Sequence, residues 1–126
     1  MIILTPDEVI ELHEKLIIAT GGSPGIRDIG LLESAVLGCY QAFDGEDLYP
    51  TVIEKAARIA YAVCKNHPFL DGNKRTAVAS MLVILRINDI FLLYSQQELI
   101  MLGLGIADGS IAYEDIVVWI NAHRKN

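Results

Sequence analysis

The sequence predicts an all-α fold, a single-domain bundle of roughly six helices around an apolar central helix, and three observations carry that reading. Apolar residues recur at helical spacing from one end of the chain to the other. Glycines, prolines and N-capping residues interrupt this periodicity at helix-length intervals. Between Ala77 and Leu85 the chain is apolar on almost every helical face, as suits a helix enclosed by others. No repeat or low-complexity linker divides the 126 residues, so residues 1–126 are expected to form one domain.

The first helix is expected to open at Thr5, with Pro6 in its first turn and Glu8 completing a capping box. Val9, Leu12 and Leu16 mark its buried face, and Gly21 and Gly22 end it. Asp28 caps a second helix on which Leu32, Ala35, Val36, Cys39 and Phe43 repeat at threes and fours. An acidic loop, Asp44 to Tyr49, leads to a third helix starting at Pro50, with Ile53, Ala56, Ala57, Ala60, Val63 and Cys64 inward. Pro68 forbids its continuation past Asn66 or His67. The apolar helix then runs from about Gly72 to Asn88. A short extended piece (Phe91 to Tyr94), a helix capped by Ser95 and Glu98, a Gly-rich turn and a last helix near Tyr113 to His123 complete the chain.

Composition removes several classes of function. Hydrophobic residues make up 52% and charged residues 21%, which excludes a disordered chain. A net charge of -6 without a Lys/Arg block argues against nucleic acid as a direct partner. Cys39 and Cys64 have neither C-x-x-C nor metal-ligand spacing and read as reduced core residues. The N-terminus lacks the basic region of a signal peptide, and no apolar stretch approaches the roughly 20 residues that span a bilayer. The cytoplasm is the expected location.

Chemistry concentrates in H-P-F-L-D-G-N-K-R-T, from His67 to Thr76, where one helix stops and the central helix begins. Backbone N–H groups near Gly72 to Lys74 lack intrahelical acceptors and lie at the positive end of the helix dipole. Gly72 admits a phosphate close to the backbone, and Lys74 and Arg75 add positive charge beside it. Asp71 suits a Mg²⁺ ion shared with a nucleotide. His67 suits a general base, because histidine is the side chain that exchanges a proton nearest neutral pH.

His67, Phe69, Asp71, Gly72, Asn73 and Arg75 match the pattern H-x-F-x-(D/E)-G-N-G-R-x-x-R, so the chain resembles the Fic family. Lys74 stands where that pattern has its second glycine, and N-K-R-T is similar to the Doc branch, the death-on-curing toxins of toxin–antitoxin operons. T-P-D-E-V-I-E-L-H near the start and G-G-S-P-G-I-R-D after the first helix resemble that branch too. The resemblance implies ATP as substrate, His67 as base, Asp71 on Mg²⁺, Phe69 as an anchor of the loop, and Asn73 and Arg75 on phosphates. Fic proteins generally transfer a nucleoside monophosphate to a hydroxyl. Doc toxins bind the nucleotide inverted and transfer its γ-phosphate to a threonine of elongation factor Tu, which halts translation. Lys74 for glycine and Val78 for the second arginine both favour the Doc-like kinase, leaving a Fic-type adenylyltransferase as the nearest alternative and a non-catalytic phosphate- or partner-binding domain as the second.

Simpler readings account for other features. The glycines of Gly21-Gly22-Ser23-Pro24-Gly25 are explained by helix closure and a tight turn, and the chain lacks the spacing of a P-loop. Arg27 is an accessory candidate, because the resemblance puts its loop beside the cleft. His13 and His123 have no partner ligands at metal spacing. Asp44, Glu46 and Asp47 read as a solvated connection, although the equivalent stretch of Fic relatives is a flap that docks the target. Some Fic proteins carry an internal brake, S/T-x-x-x-E-G/N, and only Ser110 to Glu114 approaches it here, followed by Asp115. The resemblance therefore implies restraint by a separate Phd-type antitoxin whose partly disordered segment folds as a helix onto this domain.

Overall fold

The computed structural model of the chain describes residues 1–125. Among them are six α-helices: α1 (Pro6–Thr20), α2 (Ile29–Leu37), α3 (Val52–Asn66), α4 (Asn73–Ile87), α5 (Gln96–Asp108) and α6 (Tyr113–His123). A 3₁₀ turn (Gly38–Tyr40) and a two-stranded antiparallel hairpin, β1 (Ala42–Phe43) and β2 (Glu46–Asp47), lie between α2 and α3. The all-α expectation holds, and none of the helices is long and apolar enough to cross a membrane.

Local chemistry sets most helix starts. Thr5, Asp28, Thr51 and Ser95 each accept a bond from the backbone N–H three residues on, and Thr5 with Glu8 and Ser95 with Glu98 close complete capping boxes. Each such cap contributes about 1 kcal/mol. The third helix begins at Val52 with Thr51 as its cap, two residues later than Pro50 suggests.

Tertiary contacts alter four further expectations. Phe43 is not on the buried face of α2: a 3₁₀ turn ends that helix, and Phe43 stands 76% exposed in β1. The acidic loop is a hairpin, closed at its tip by Asp44 and Gly45 with positive φ. Gly103 and Gly105 lie inside α5 and form no turn; a Cβ on Gly103 would touch Lys74 Cβ at 3.5 Å, and one on Gly105 would overlap Ile111. They let α5 pack closely on its neighbours at some cost in helix propensity. On α1 the fully buried residues are Val9, His13 and Ile17, with Leu12 and Leu16 half-buried at the edge.

α4 does share the centre, but with α3. α3 packs against α2, α4, α5 and α6, and α4 packs against α1, α3 and α5. Small buried residues on both (Ala56, Ala57, Ala60; Ala77, Ser80) allow the two backbones a close approach. Lys55 is buried in α3, where its ammonium donates to the carbonyls of Cys39 (3.2 Å) and Tyr49 and lies 3.9 Å from the Asp47 carboxylate. It therefore ties both ends of the hairpin segment to the core.

His123 joins the end of α6 to the start of α5. Its Nδ1–H donates to Trp119 O (2.7 Å) and its Nε2–H to Glu98 Oε2 (2.6 Å). Both partners only accept, so the doubly protonated ring is favoured, and its pKa is raised chiefly by Glu98. The Glu98 carboxyl is correspondingly lowered, first by His123 and then by Ser95. The histidine contribution is fully present below its ordinary value of 6.5 and is lost as pH rises through the raised folded value. The carboxylate contribution is present above 4.5 and is lost as pH falls through the lowered folded value. The Tm difference between the wild type and His123→Gln should thus be largest between pH 4.5 and 6.5 and should shrink on either side, as thermal melts across pH will measure.

Candidate active site

The loop between α3 and α4 is shaped by its own residues. Pro68 stops α3, and His67 takes the left-handed conformation (φ 52°, ψ 54°) as its C-cap, one that histidine accepts more readily than most residues. Phe69 follows, fully buried. Asn73 then brackets it: Phe69 N–H donates to Asn73 Oδ1 (2.9 Å), and Asn73 Nδ2 donates to Phe69 O (3.0 Å). Gly72, at φ 78°, begins α4 without any side-chain cap, so the first-turn N–H groups of the central helix stay open to a ligand.

Two outer segments hold the loop. Gly25 O accepts from Leu70 N–H (3.2 Å), and Pro68 O accepts from Arg27 N–H (2.7 Å) and Asp28 N–H (3.0 Å), with Ile26 bridged to Phe69. Gly22 and Gly25 are required by this contact: at positive φ, a Cβ would lie 2.6 Å from Asp71 Oδ2 or 3.0 Å from Leu70. The Arg27 side chain donates through Nε to His67 O (2.6 Å) and through Nη2 to Asn66 O (2.8 Å). It closes the C-terminus of α3 immediately behind His67, at the negative end of the dipole. From α1, His13 stacks on Phe69 with ring centroids 3.8 Å apart and 6° between planes.

Together His67, Leu70, Asp71, Gly72, Asn73, Lys74 and Arg75 line one cavity of about 160 Å³. Asp71 accepts from Gly72 N–H at Oδ1 (2.8 Å) and from Ser23 N–H at Oδ2 (3.1 Å). Those two bonds, more than the nearby Arg75 and His13, hold its carboxyl below the ordinary 3.8 and keep it ionised. Arg75 reaches back to Thr20 Oγ1 and Gly21 O at the end of α1, while the exposed Lys74 makes no ion pair among the described residues. Larger hollows exist, but one of about 510 Å³ beside α5 is lined by Glu98 and Asp108 with no cation, and one of about 610 Å³ beside α6 sets Arg124 against Glu54 and Glu114. The loop cavity gathers a histidine, a carboxylate and two cations at an open helix start.

Each sequence-predicted residue except Phe69 and Arg27 therefore lines this cavity, and those two support the loop behind it. Two are arranged differently from expectation. The amide of Asn73 is committed to Phe69, so what Asn73 can offer a phosphate is its backbone N–H. The space a Gly72 Cβ would fill is held by Ile17 (3.2 Å) and His13 (3.6 Å), so the glycine is needed by the backbone and by α1. Lys55 escaped the sequence reading, and His13 was weighed there only as a metal ligand; the signal for its buried place was its i+4 spacing from Val9 and to Ile17, the true buried face of α1.

Residues 3–85 match the family model described as the Fic/DOC family. The chain is 35% identical over 113 residues to "Protein kinase doc" of Escherichia phage P1, covering 90% of this chain and 88% of that protein. It is 43% identical over 73 residues to "Toxin Doc" of Mycolicibacterium smegmatis, covering 58% of this chain and 56% of that protein. Asn73→Ala would orphan the buried N–H and C=O of Phe69, at about 1–3 kcal/mol for each group. Denaturant titration should show that loss, whereas Arg27→Gln, at an exposed position, should cost less than Asn73→Ala in the same titration.

Proposed function

The chain belongs to the Fic/Doc family, and from that premise we propose that it is a Doc-like toxin kinase, transferring the γ-phosphate of ATP to a Thr or Ser hydroxyl of a translation protein, elongation factor Tu first among candidates. The observation that carries this reading is the gathering of His67, Asp71, Lys74 and Arg75 around one cavity at the uncapped start of α4. Its size suits phosphate groups, with the rest of the nucleotide outside. Asp71, a single carboxylate held ionised at the cavity, would suit a Mg²⁺ that takes most of its ligands from phosphate and water.

When bound, Mg²⁺–ATP supplies the phosphoryl group and neutralises part of its charge. The chain supplies position and electrostatics. Asp71 holds the metal side with a carboxylate kept ionised by Ser23 and Gly72. The open N–H groups of α4, with Lys74 and Arg75, stabilise negative charge on the phosphoryl oxygens. His67, exposed at the rim with its backbone fixed by Arg27, takes the proton of the attacking hydroxyl.

Two features favour γ-phosphate over nucleotidyl transfer. Lys74 replaces the glycine of the Fic pattern, and its Cβ packs toward Gly103 of α5. Val78, where the Fic pattern has a second arginine, is buried on the same face beside Gly103. A lysine at position 74 would obstruct or recharge the subsite that a glycine leaves open, and a valine at position 78 removes the guanidinium that would grip the triphosphate. The Ser110–Glu114 stretch does not line the cavity; Ser110 donates to Gly105 O within the α5–α6 corner. We infer restraint by a separate Phd-type antitoxin from the similarity to Doc toxins. An apolar groove of about 290 Å³ between α1, α4 and α5, which shares Lys74 and Arg75 with the site, is suited to an amphipathic helix of that partner.

Incubation with elongation factor Tu and ATP labelled at the α or γ position tests the proposal. Protein should take up γ label only, with one phosphate added by intact mass, and His67→Ala should lower the rate by about 10²–10⁴-fold. Uptake of α label would replace the kinase with an adenylyltransferase, and no uptake of either on any translation protein would leave a binding domain.

A further inference from the structure

We propose that His13, outside the His67–Thr76 segment, is a positioning residue for the transfer: its Nε2–H fixes the Asp71–Gly72 peptide plane and so aims the Asp71 carboxylate. The inference rests on the functional reading above for its effect on turnover, but the geometry stands without it. His13 is 2% exposed on the apolar face of α1, and its Nε2 lies 2.8 Å from Asp71 O. A carbonyl only accepts, so Nε2 carries the proton. A buried imidazole needs such a partner to offset its desolvation, whereas a leucine would fill the same space on Phe69 without one.

The bonded peptide is the one that matters most to the site. Its C=O is held by His13, and its N–H, on Gly72, donates to Asp71 Oδ1 at 2.8 Å. Held at both ends, the plane cannot turn without withdrawing that N–H from the carboxylate and changing the Gly72 φ of 78° from which α4 starts. The other carboxylate oxygen takes Ser23 N–H, so rotation would disturb the link to the α1–α2 loop as well. A single donor on α1 thus controls both the direction of Asp71 and the first turn of the anion-binding helix. Partners of this kind behind a metal-holding group are commonly worth 10–100-fold in affinity or activity.

Two variants of the full chain separate the donor from the packing. His13→Leu keeps apolar bulk against Phe69 but removes the N–H, while His13→Gln keeps an N–H that can reach the carbonyl. In His13→Leu, kcat should fall by about 10–100-fold at saturating ATP and the half-saturating Mg²⁺ concentration should rise, and His13→Gln should recover most of both. The ¹⁵N amide resonances of Gly72 and Ser23 should move in His13→Leu and stay near wild type in His13→Gln. The imidazole ¹⁵N shifts of the wild type should report a proton on Nε2. Wild-type kcat and Mg²⁺ dependence in His13→Leu, equal impairment of both variants, or a ring protonated on Nδ1 alone would each overturn the proposal. Should His13→Leu fail to fold, His13→Gln and the wild-type ring decide alone: displaced Gly72 and Ser23 resonances in His13→Gln would sink it. If the wild type transfers neither label, the kinase reading falls, and the amide and ring resonances still decide the role of His13.

Discussion

Two hydrogen bonds between the Asn73 side chain and the backbone of Phe69, one donated by each residue, hold the reversal between the central helices, and the site is a consequence of that reversal. Pro68 makes continuation of α3 impossible, yet by itself it leaves the chain free to leave in many directions. The Asn73 bracket, closed around a fully buried Phe69, selects one. It brings the end of α3 and the start of α4 to the same end of the core, so that His67 and the open N–H groups of α4 face one space.

The site is then a loop pressed from two sides. From α1, His13 and Ile17 occupy the position a Gly72 side chain would need, and His13 stacks on Phe69. From the α1–α2 loop, Gly22, Ser23, Gly25 and Arg27 make backbone-level contact with the motif. The glycines that close α1 therefore serve the site as well, by letting one loop lie against another. Because backbone groups supply most of these bonds, the geometry of Asp71 and His67 depends less on their own side-chain preferences than on the seating of the loop.

Charge is arranged with similar economy. A chain with a net charge of -6 keeps Lys74 and Arg75 next to the positive end of its central helix, opposite one carboxylate that backbone N–H groups hold ionised. That local concentration of positive charge is what the proposed reading requires for a compact polyphosphate carrying a divalent cation. In α3 a third cation, Lys55, is buried and ties down the acidic hairpin, so it serves architecture.

Most helix starts, the break at Pro68 and the cluster from His67 to Thr76 were legible in the sequence, because caps, proline geometry and the chemistry of adjacent side chains act over a few residues. The tertiary structure decided what depends on residues distant in the chain. His13 meets Asp71 across 58 positions and Arg27 meets His67 across 40, and neither contact leaves a local pattern. Asn73 could be recognised as polar and near the site, but only its placement beneath Phe69 shows that its amide belongs to the loop. Phe43 fits the helical spacing of α2 and nonetheless sits exposed in β1, since the helix ends at a 3₁₀ turn while Lys55 draws the following segment onto α3. Periodicity records which residues could share a face; whether another element covers that face is settled by packing between segments that are far apart in sequence.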